Sequence, residues 1–350
     1  MDAATRDLLQ ELLRTYGPGG DEEAVRDVCA RELAPLVDRS WVDAAGNLVG
    51  LLDGPAGSAR GAVRVTAHLD ELALVVKRVA PDGDLHVQPL GTMYPANFGL
   101  GPVDVLGDAE VVTGALVLGS EHTTRETPQV WATKPDGGDR AMTWTDVRVF
   151  TGRSPRELAD AGVHVGSRVC VHRSRRELVD LGGFTGCFFL DDRLALVVLL
   201  RALRLLRREG GPACDVYAVF STREEVGGVG AAYADRTLPG EEVLALDVAP
   251  AEDEYGTSLH PGVVVPYADA TAVYDRRCAD RLVELAEQQG VPAQRAVLGS
   301  YGSDASDSST VGQVARAVAL GLPTLSTHGF EVVHRDVVDG AARVLAAYLR

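Results

Sequence analysis

Phe220-Ser221-Thr222-Arg223-Glu224-Glu225-Val226-Gly227-Gly228-Val229-Gly230 is the stretch from which the rest of the chain can be read. The apolar run Val216-Tyr217-Ala218-Val219-Phe220 leads into it, and an alanine-rich segment follows the glycines. The pattern predicts a buried strand ending in two adjacent carboxylates, with a helix starting just beyond. Neighbouring carboxylates repel each other unless a cation or a shared proton sits between them. In isolation such a pair is an ordinary solvated loop, so its meaning depends on what the other strand ends carry.

Three further apolar strands also end in polar groups. Val63-Arg64-Val65-Thr66-Ala67 delivers His68 and Asp70, and strand periodicity puts these two on one face, where the aspartate can orient the imidazole. Phe184 to Leu190 ends in Asp191-Asp192-Arg193, ahead of a helix from Leu194 to Arg208 that is apolar almost all round. Asp192 reads equally well as the N-cap of that helix. Val243 to Leu246 ends in Asp247, and His328 follows a fifth strand, Ala315 to Leu320. In an open α/β sheet the C-terminal strand ends converge on one crevice. A set made of His and carboxylates without Cys suits a hard or borderline divalent metal. The count fits two ions about 3.5–4 Å apart. One carboxylate bridges, each ion takes one His and one further carboxylate, and a spare Glu shuttles a proton from water to a leaving amine. The chain has no G-x-S-x-G, H-E-x-x-H, G-x-x-x-x-G-K-[ST] or G-x-G-x-x-G motif, so a serine hydrolase, a zincin, a P-loop enzyme and a dinucleotide fold lack support.

At 350 residues the chain is long for one core, and two domains are expected. The catalytic α/β domain is expected to comprise residues 1–75 plus 176–350. Helices are expected from Thr5 to Tyr16, from Asp21 to Leu36, from Cys278 to Gln289 and from Asp336 to Leu349, and a Gly-Asn turn at Gly46-Asn47 joins two short strands. Residues 76–175 read as an inserted small all-β domain of short pieces, among them Leu85-His86-Val87, Val103 to Leu106, Val111 to Leu118, Val130-Trp131-Ala132 and Val147 to Phe150. Ser154 is an N-cap with Pro155 at the first helical position. Tyr301 to Ser308 reads as a small-residue loop, and His86, His122, His164 and His260 read as structural or surface residues.

A net charge of -16 argues against nucleic acid and anionic membrane partners. The longest apolar run, Leu194 to Leu200, is too short to span a bilayer, and no signal peptide is apparent at the N-terminus. Five scattered cysteines, odd in number and without C-x-x-C spacing, read as reduced thiols of a cytoplasmic protein.

With Asp43-x-x-Gly46-Asn47-Leu48-x-Gly50, Ala67-His68-Leu69-Asp70-Glu71, Leu190-Asp191-Asp192-Arg193, Glu224-Glu225-Val226-Gly227, Leu246-Asp247-Val248 and Pro323-Thr324-x-x-x-His328, the chain resembles the tetrahedral (TET) aminopeptidases. These are also called glutamyl or deblocking aminopeptidases, dimetal exopeptidases of clan MH. The resemblance spans almost the whole chain and implies a mixed-sheet α/β exopeptidase domain with a barrel-like insertion used for dimerisation and assembly. It implies an aminopeptidase that removes N-terminal residues from peptides with two divalent ions, zinc or cobalt. Asp191 would bridge them, His68 and Asp247 would complete one site, and Glu225 and His328 the other. Glu224 would be the general base, Asp70 would orient His68, and the Asp191–Asp192 peptide would be cis. The resemblance further implies a homo-oligomer, a dodecamer whose active sites face an inner cavity. The family follows its last histidine with a Ser-Pro-x-Glu-like stretch; Gly329-Phe330-Glu331 is shorter here, which leaves His334 as the alternative ligand. Ser303-Asp304-Ala305 stands where the family carries a Gly-Thr-Asp-Ala-like loop. Two rival readings are an amidohydrolase or carboxypeptidase of the same fold, and a metal-free scaffold.

Overall fold

In chain order the strands of the computed structural model are β1 (Arg39–Val42), β2 (Leu48–Leu52), β3 (Val63–His68), β4 (Ala73–Val79), β5 (Leu85–Leu90), β6 (Gly101–Leu106), β7 (Val111–Val117), β8 (Arg148–Phe150) and β9 (Arg168–Val171). Then come β10 (Val179–Leu181), β11 (Phe184–Phe188), β12 (Val216–Ser221), β13 (Glu242–Pro250), β14 (Val263–Ala268), β15 (Ala293–Val297), β16 (Arg316–Leu325) and β17 (Phe330–His334). The structure describes residues 1–134 and 138–350. Met1–Glu71, Leu178–Thr327 and Glu331–Arg350 form one compact unit, and Leu72–Glu177 with His328–Phe330 form a second.

The first unit is built on an 11-stranded sheet in the order β1-β2-β12-β3-β13-β16-β17-β11-β10, with β14 joined to β16 and β15. Its centre is parallel: β12 with β3, β3 with β13, and β13 with β16. Its flanks are antiparallel, so the sheet is mixed. Strands β3 and β12 are buried along their whole length; β12 accordingly reads as a nearly continuous apolar run, while β3 buries Arg64, paired with Asp235, and Thr66 between its apolar residues. Parallel pairing also aligns their ends. Ser221 sits opposite His68, and the polar residues that close each strand emerge at the same edge of the sheet. The helix Leu190–Arg208 packs against β3 and β13 and against the C-terminal helix Val337–Leu349, and Leu194 to Leu200 are all buried. Asp191 and Asp192 are non-helical, so regular helix begins at Arg193.

The second unit is a closed barrel, β4-β5-β8-β7-β6-β9, with every pairing antiparallel. Val103, Val105, Val112, Leu116, Val149 and Val169 fill its interior. Ser154 caps the helix Pro155–Asp160 through a reciprocal capping box with Glu157.

Several local readings are corrected by the structure. Val130 and Trp131 are not strand but belong to a single helical turn, Pro128–Trp131, started by a proline at its first position. The stretch Tyr301 to Ser308 is not all loop. Asp304–Thr310 is helical, held by a capping box in which the Ser303 and Ser306 hydroxyls each accept the other's backbone N–H. Strand β16 runs on through Pro323 to Leu325. The proline is tolerated because it falls where the neighbour on that side changes from β14 at Gly321 to β17 at Thr324. Among the described residues, no helix is long and apolar enough to cross a membrane.

One ion pair fixes the turn after β3. Arg193 and Glu71 are both fully buried, with Arg193 Nη2 2.7 Å from Glu71 Oε2. The same guanidinium donates to the Leu69 carbonyl, so it clamps the segment that follows His68. Removing one partner of such a pair leaves an uncompensated buried charge. We expect Arg193→Met to lower stability by about 3–5 kcal/mol, read as a shift in the midpoint of denaturant unfolding. A change below about 1 kcal/mol would show that the clamp is dispensable.

Candidate metal centre

The site starts from His68, the last residue of β3, which is 2% exposed. Its Nδ1 lies 3.1 Å from the Asp70 carbonyl. A carbonyl only accepts, so Nδ1 carries the hydrogen and Nε2 is left with the lone pair. Nε2 faces Asp191 Oδ1 at 3.1 Å. The backbone N–H of His68 donates to Asp192 Oδ2 at 3.1 Å. Asp192 therefore binds β3 rather than capping its own helix.

Asp70, fully buried, does more than face the imidazole. Its Oδ1 is 3.5 Å from His68 Nδ1, a longer approach than that of its own carbonyl. Its shorter contacts go to the carboxylate pair that opens the next crossover. Oδ1 accepts the Glu224 N–H at 2.9 Å, and Oδ2 accepts the Glu225 N–H at 3.2 Å. Asn47 braces the same turn from the other side. Its Oδ1 accepts the Thr222 N–H at 3.0 Å, and its Nδ2 donates to Asp43 Oδ2 and to the Gly230 carbonyl. A Cβ at Gly230 would lie 2.3 Å from Asn47 Oδ1 and 2.5 Å from the Thr222 nitrogen, so this turn needs glycine there.

Two groups of metal-ligating atoms result, each with all its atoms within 4.8 Å of one another: His68, Asp191, Asp192 and Asp247; and Asp191, Glu225 and His328. Asp191 belongs to both, and Glu224 to neither. Asp191 and Asp192 are joined by a cis peptide. The Asp191 N–H donates to Glu331 Oε2 at 2.9 Å, and Glu331 is 1% exposed. His328 lies in the turn between β16 and β17, and its Nδ1 donates to the Thr92 carbonyl at 2.6 Å. Its Nε2 is thereby left as the acceptor. His334 lies outside both groups. Its Nδ1 accepts the Asp336 N–H, and its ring meets Phe184 edge-on. His260 likewise uses Nδ1 to accept the Gly262 N–H.

The electrostatics ask for a cation. Burial pushes the carboxyl groups of Asp192, Glu224, Glu225 and Asp247 well above their ordinary range. The nearby carboxylates of Asp191, Asp247 and Glu225 push further, while His68 offsets part of this. Burial pulls His68 down, but contacts with Asp191 and Asp70 and the charges of Asp192 and Glu224 outweigh it and raise the imidazole well above its usual value. Nε2 and Asp191 Oδ1 thus face each other across the position that a Lewis acid would share. Asp192 Oδ1 is buried and makes no hydrogen bond, which fits a ligand atom. The donors are imidazole nitrogen and carboxylate oxygen, with no sulfur, the set preferred by hard or borderline divalent ions.

Three residues near the site were given no firm role by sequence reasoning, although Asp304 falls in the Ser303-Asp304-Ala305 stretch matched to the family loop. Asp192 was indistinguishable from an N-cap. Glu331 is an acid inside the apolar strand Phe330-Glu331-Val332-Val333, and that mismatch is the signal that could have found it. Asp304 is buried and accepts the Ser221 hydroxyl at 2.5 Å, and burial raises its carboxyl to about 7.

Comparison with known proteins places this arrangement. Residues 46–344 match the family model of the M42 glutamyl aminopeptidases. A lysyl aminopeptidase of Pyrococcus furiosus is 27% identical over 253 residues, covering 69% of this chain and 66% of that protein. An aminopeptidase from the archaeon Desulfurococcus kamchatkensis superposes with a TM-score of 0.87 at 26% identity, over 99% of this chain and 94% of that one. The TET1 peptidase of Pyrococcus horikoshii, which can assemble into a tetrahedron or a large octahedral shell, superposes at 0.84 with 23% identity, over 99% of both chains. With the family model covering residues 46–344, and with the strand-end carboxylates and histidines gathered as described, the chain belongs to the M42 glutamyl aminopeptidase family.

Proposed function

We propose that this protein is a dimetal aminopeptidase that hydrolyses the N-terminal residue from peptides. The observation that carries the reading is the sharing of Asp191 by two ligand groups while Glu224, next to a member of one, joins neither. His68, Asp191 and Asp247 would hold one divalent ion, with Asp192 beside them, and Asp191, Glu225 and His328 the other. Bound there, zinc or cobalt would supply Lewis acidity toward the scissile carbonyl and toward water. The chain's own residues do the rest. Glu224, its backbone fixed on Asp70 Oδ1, receives a proton from the attacking water on its carboxylate and returns it to the departing amine. Asp70 keeps the Glu224-Glu225 turn and His68 in mutual register. Asn47 and Glu331 hold the backbone of the carboxylate turn and of Asp191. All five cysteines are buried, and a reducing compartment such as the cytoplasm is part of this proposal.

Substitution separates the two adjacent glutamates. Glu224→Gln is expected to keep metal content near that of the wild type and to lower kcat by about 10²–10⁴-fold. Activity surviving that change would end the acid–base assignment. Asp191→Asn should lose metal, measured by elemental analysis, together with activity.

The substrate class follows from free-amine dependence. Aminoacyl p-nitroanilides should be cleaved and N-acyl amino acids left intact; the reverse would favour an amidohydrolase of the same fold. By analogy with the P. horikoshii peptidase, the 37.1 kDa chain is expected to form a homo-oligomer, a dodecamer on the tetrahedral plan. The barrel unit is proposed to supply the assembly contacts. Light scattering that returns a monomer mass would refute this.

A further inference from the structure

At the opposite end of the central strands lies a cavity of about 550 Å³ that the proposed chemistry does not use. Its walls come from the N-terminal ends of β13 and β16, the start of the helix Arg276–Gln288, the loop at Arg60 and the C-terminal helix. Five arginines line it, Arg60, Arg276, Arg277, Arg281 and Arg316, against two carboxylates, Glu242 and Asp275. Such an excess of positive charge is unexpected in a chain with a net charge of -16.

Both carboxylates are already engaged. Glu242 Oε1 accepts from Arg60 Nη2 at 3.0 Å and from the Tyr348 hydroxyl at 2.9 Å, and its Oε2 lies 3.6 Å from Arg316 Nε. Asp275 accepts the Cys278 N–H at 3.0 Å as the helix N-cap. Three exposed arginines remain. Arg276 reaches Asp280 only at 3.9 Å. Arg281 lies over the Tyr348 ring, 5.5 Å from its centroid, and among the described residues neither it nor Arg277 has a carboxylate within ion-pair distance. Arg276 and Arg277 also occupy the first turn of a 13-residue helix, where the dipole disfavours a cation. An anion in the cavity would answer both the mutual repulsion and the dipole. Arginine forks match phosphate oxygens in pairs.

We infer that this cavity binds a small anion carrying a phosphate monoester or diphosphate group, with Arg277 and Arg281 as its principal contacts. The site stands at the far end of β13 from Asp247, about 16 Å away along the strand. Binding there does not compete for the metal ligands.

Calorimetric titration of the full chain with ADP, and separately with inorganic phosphate, tests the inference. Saturable binding by the wild type is expected, weakening as NaCl rises from 50 to 200 mM, with a loss of at least tenfold in affinity for Arg277→Ala/Arg281→Ala. Tighter binding of ADP than of phosphate would identify a nucleotide-like ligand, and equal binding a free phosphate. Arg277→Ala alone, at an exposed position, serves if the double variant is unstable. Hydrolysis of aminoacyl substrates without ADP should not change in either variant. Equal affinity in wild type and variant would place the anion at the metal centre and overturn the inference. Failure of the wild type to bind either probe would overturn it too, as would variants that shift only the oligomeric mass, since the arginines would then pair with acidic groups of another copy.

Discussion

Crowding of like charge in a dry crevice is the constraint to which the rest of this structure answers. Asp191, Asp192 and Asp247 lie within 4.8 Å of one another around a single imidazole, and all are buried. Two unit charges about 4 Å apart repel by about 4 kcal/mol at the effective dielectric of a protein surface, and burial strengthens the effect. One imidazolium offsets only one of these carboxylates. Such a cluster persists in a fold either by holding protons or by holding cations, and burial together with the neighbouring carboxylates raises the carboxyl groups of Asp192 and Asp247. Divalent ions would reverse that and return the carboxylates to the ionised state in which they ligate.

A cluster under this repulsion needs a rigid frame, and the frame is made largely of backbone amides. Asp70 gives both its oxygens to the N–H groups of Glu224 and Glu225. Glu331 takes the N–H of Asp191, Asp192 takes the N–H of His68, and Asn47 takes that of Thr222. Each bond ties the end of one strand to a residue from another element, so the ligand-bearing turns do not move independently. Carboxylates accepting backbone N–H bonds form some of the stronger hydrogen bonds available. They also lower the local negative potential without introducing a competing side-chain cation. Arg193, the nearby buried cation, is directed at Glu71 and the Leu69 carbonyl rather than at the ligand cluster.

How much of this the sequence disclosed follows from the kind of signal each part carries. Of the central parallel strands, β12 and β13 were legible as apolar runs and β3 by its polar terminus Ala67-His68, whereas the polar break at Leu246-Asp247 did not mark a strand end, because β13 continues to Pro250. The barrel was legible as a change of texture, although Pro128–Trp131 mimics a strand by carrying Val130 and Trp131. Strands β14 (Val263–Ala268) and β15 (Ala293–Val297) passed unnoticed because neither ends in a candidate ligand, and β15 carries Gln294 and Arg295 in the middle of its five residues. The helix at Asp304 was hidden by serines, which favour turns in propensity yet here supply the cap that starts the helix. Asp192 was ambiguous for a deeper reason. An aspartate before a helix looks the same whether it caps that helix or reaches across to another strand, and only the tertiary contact with the His68 N–H decides.

The two ends of the central sheet differ in charge, and backbone dipoles do not account for that difference, because the net dipole of a sheet is small. The C-terminal edges of β3, β12 and β13 present carboxylates, while the N-terminal ends of β13 and β16 open on arginines. Strand β13 alone carries Glu242 at the start of its course and Asp247 toward the end, and both are buried. Glu242 is compensated by Arg60 and Arg316 within the chain, whereas Asp247 faces further carboxylates. The same side-chain chemistry on one strand therefore has opposite consequences. At one end it locks the C-terminal helix in place through Tyr348, and at the other it leaves a charge deficit that a bound cation would have to fill.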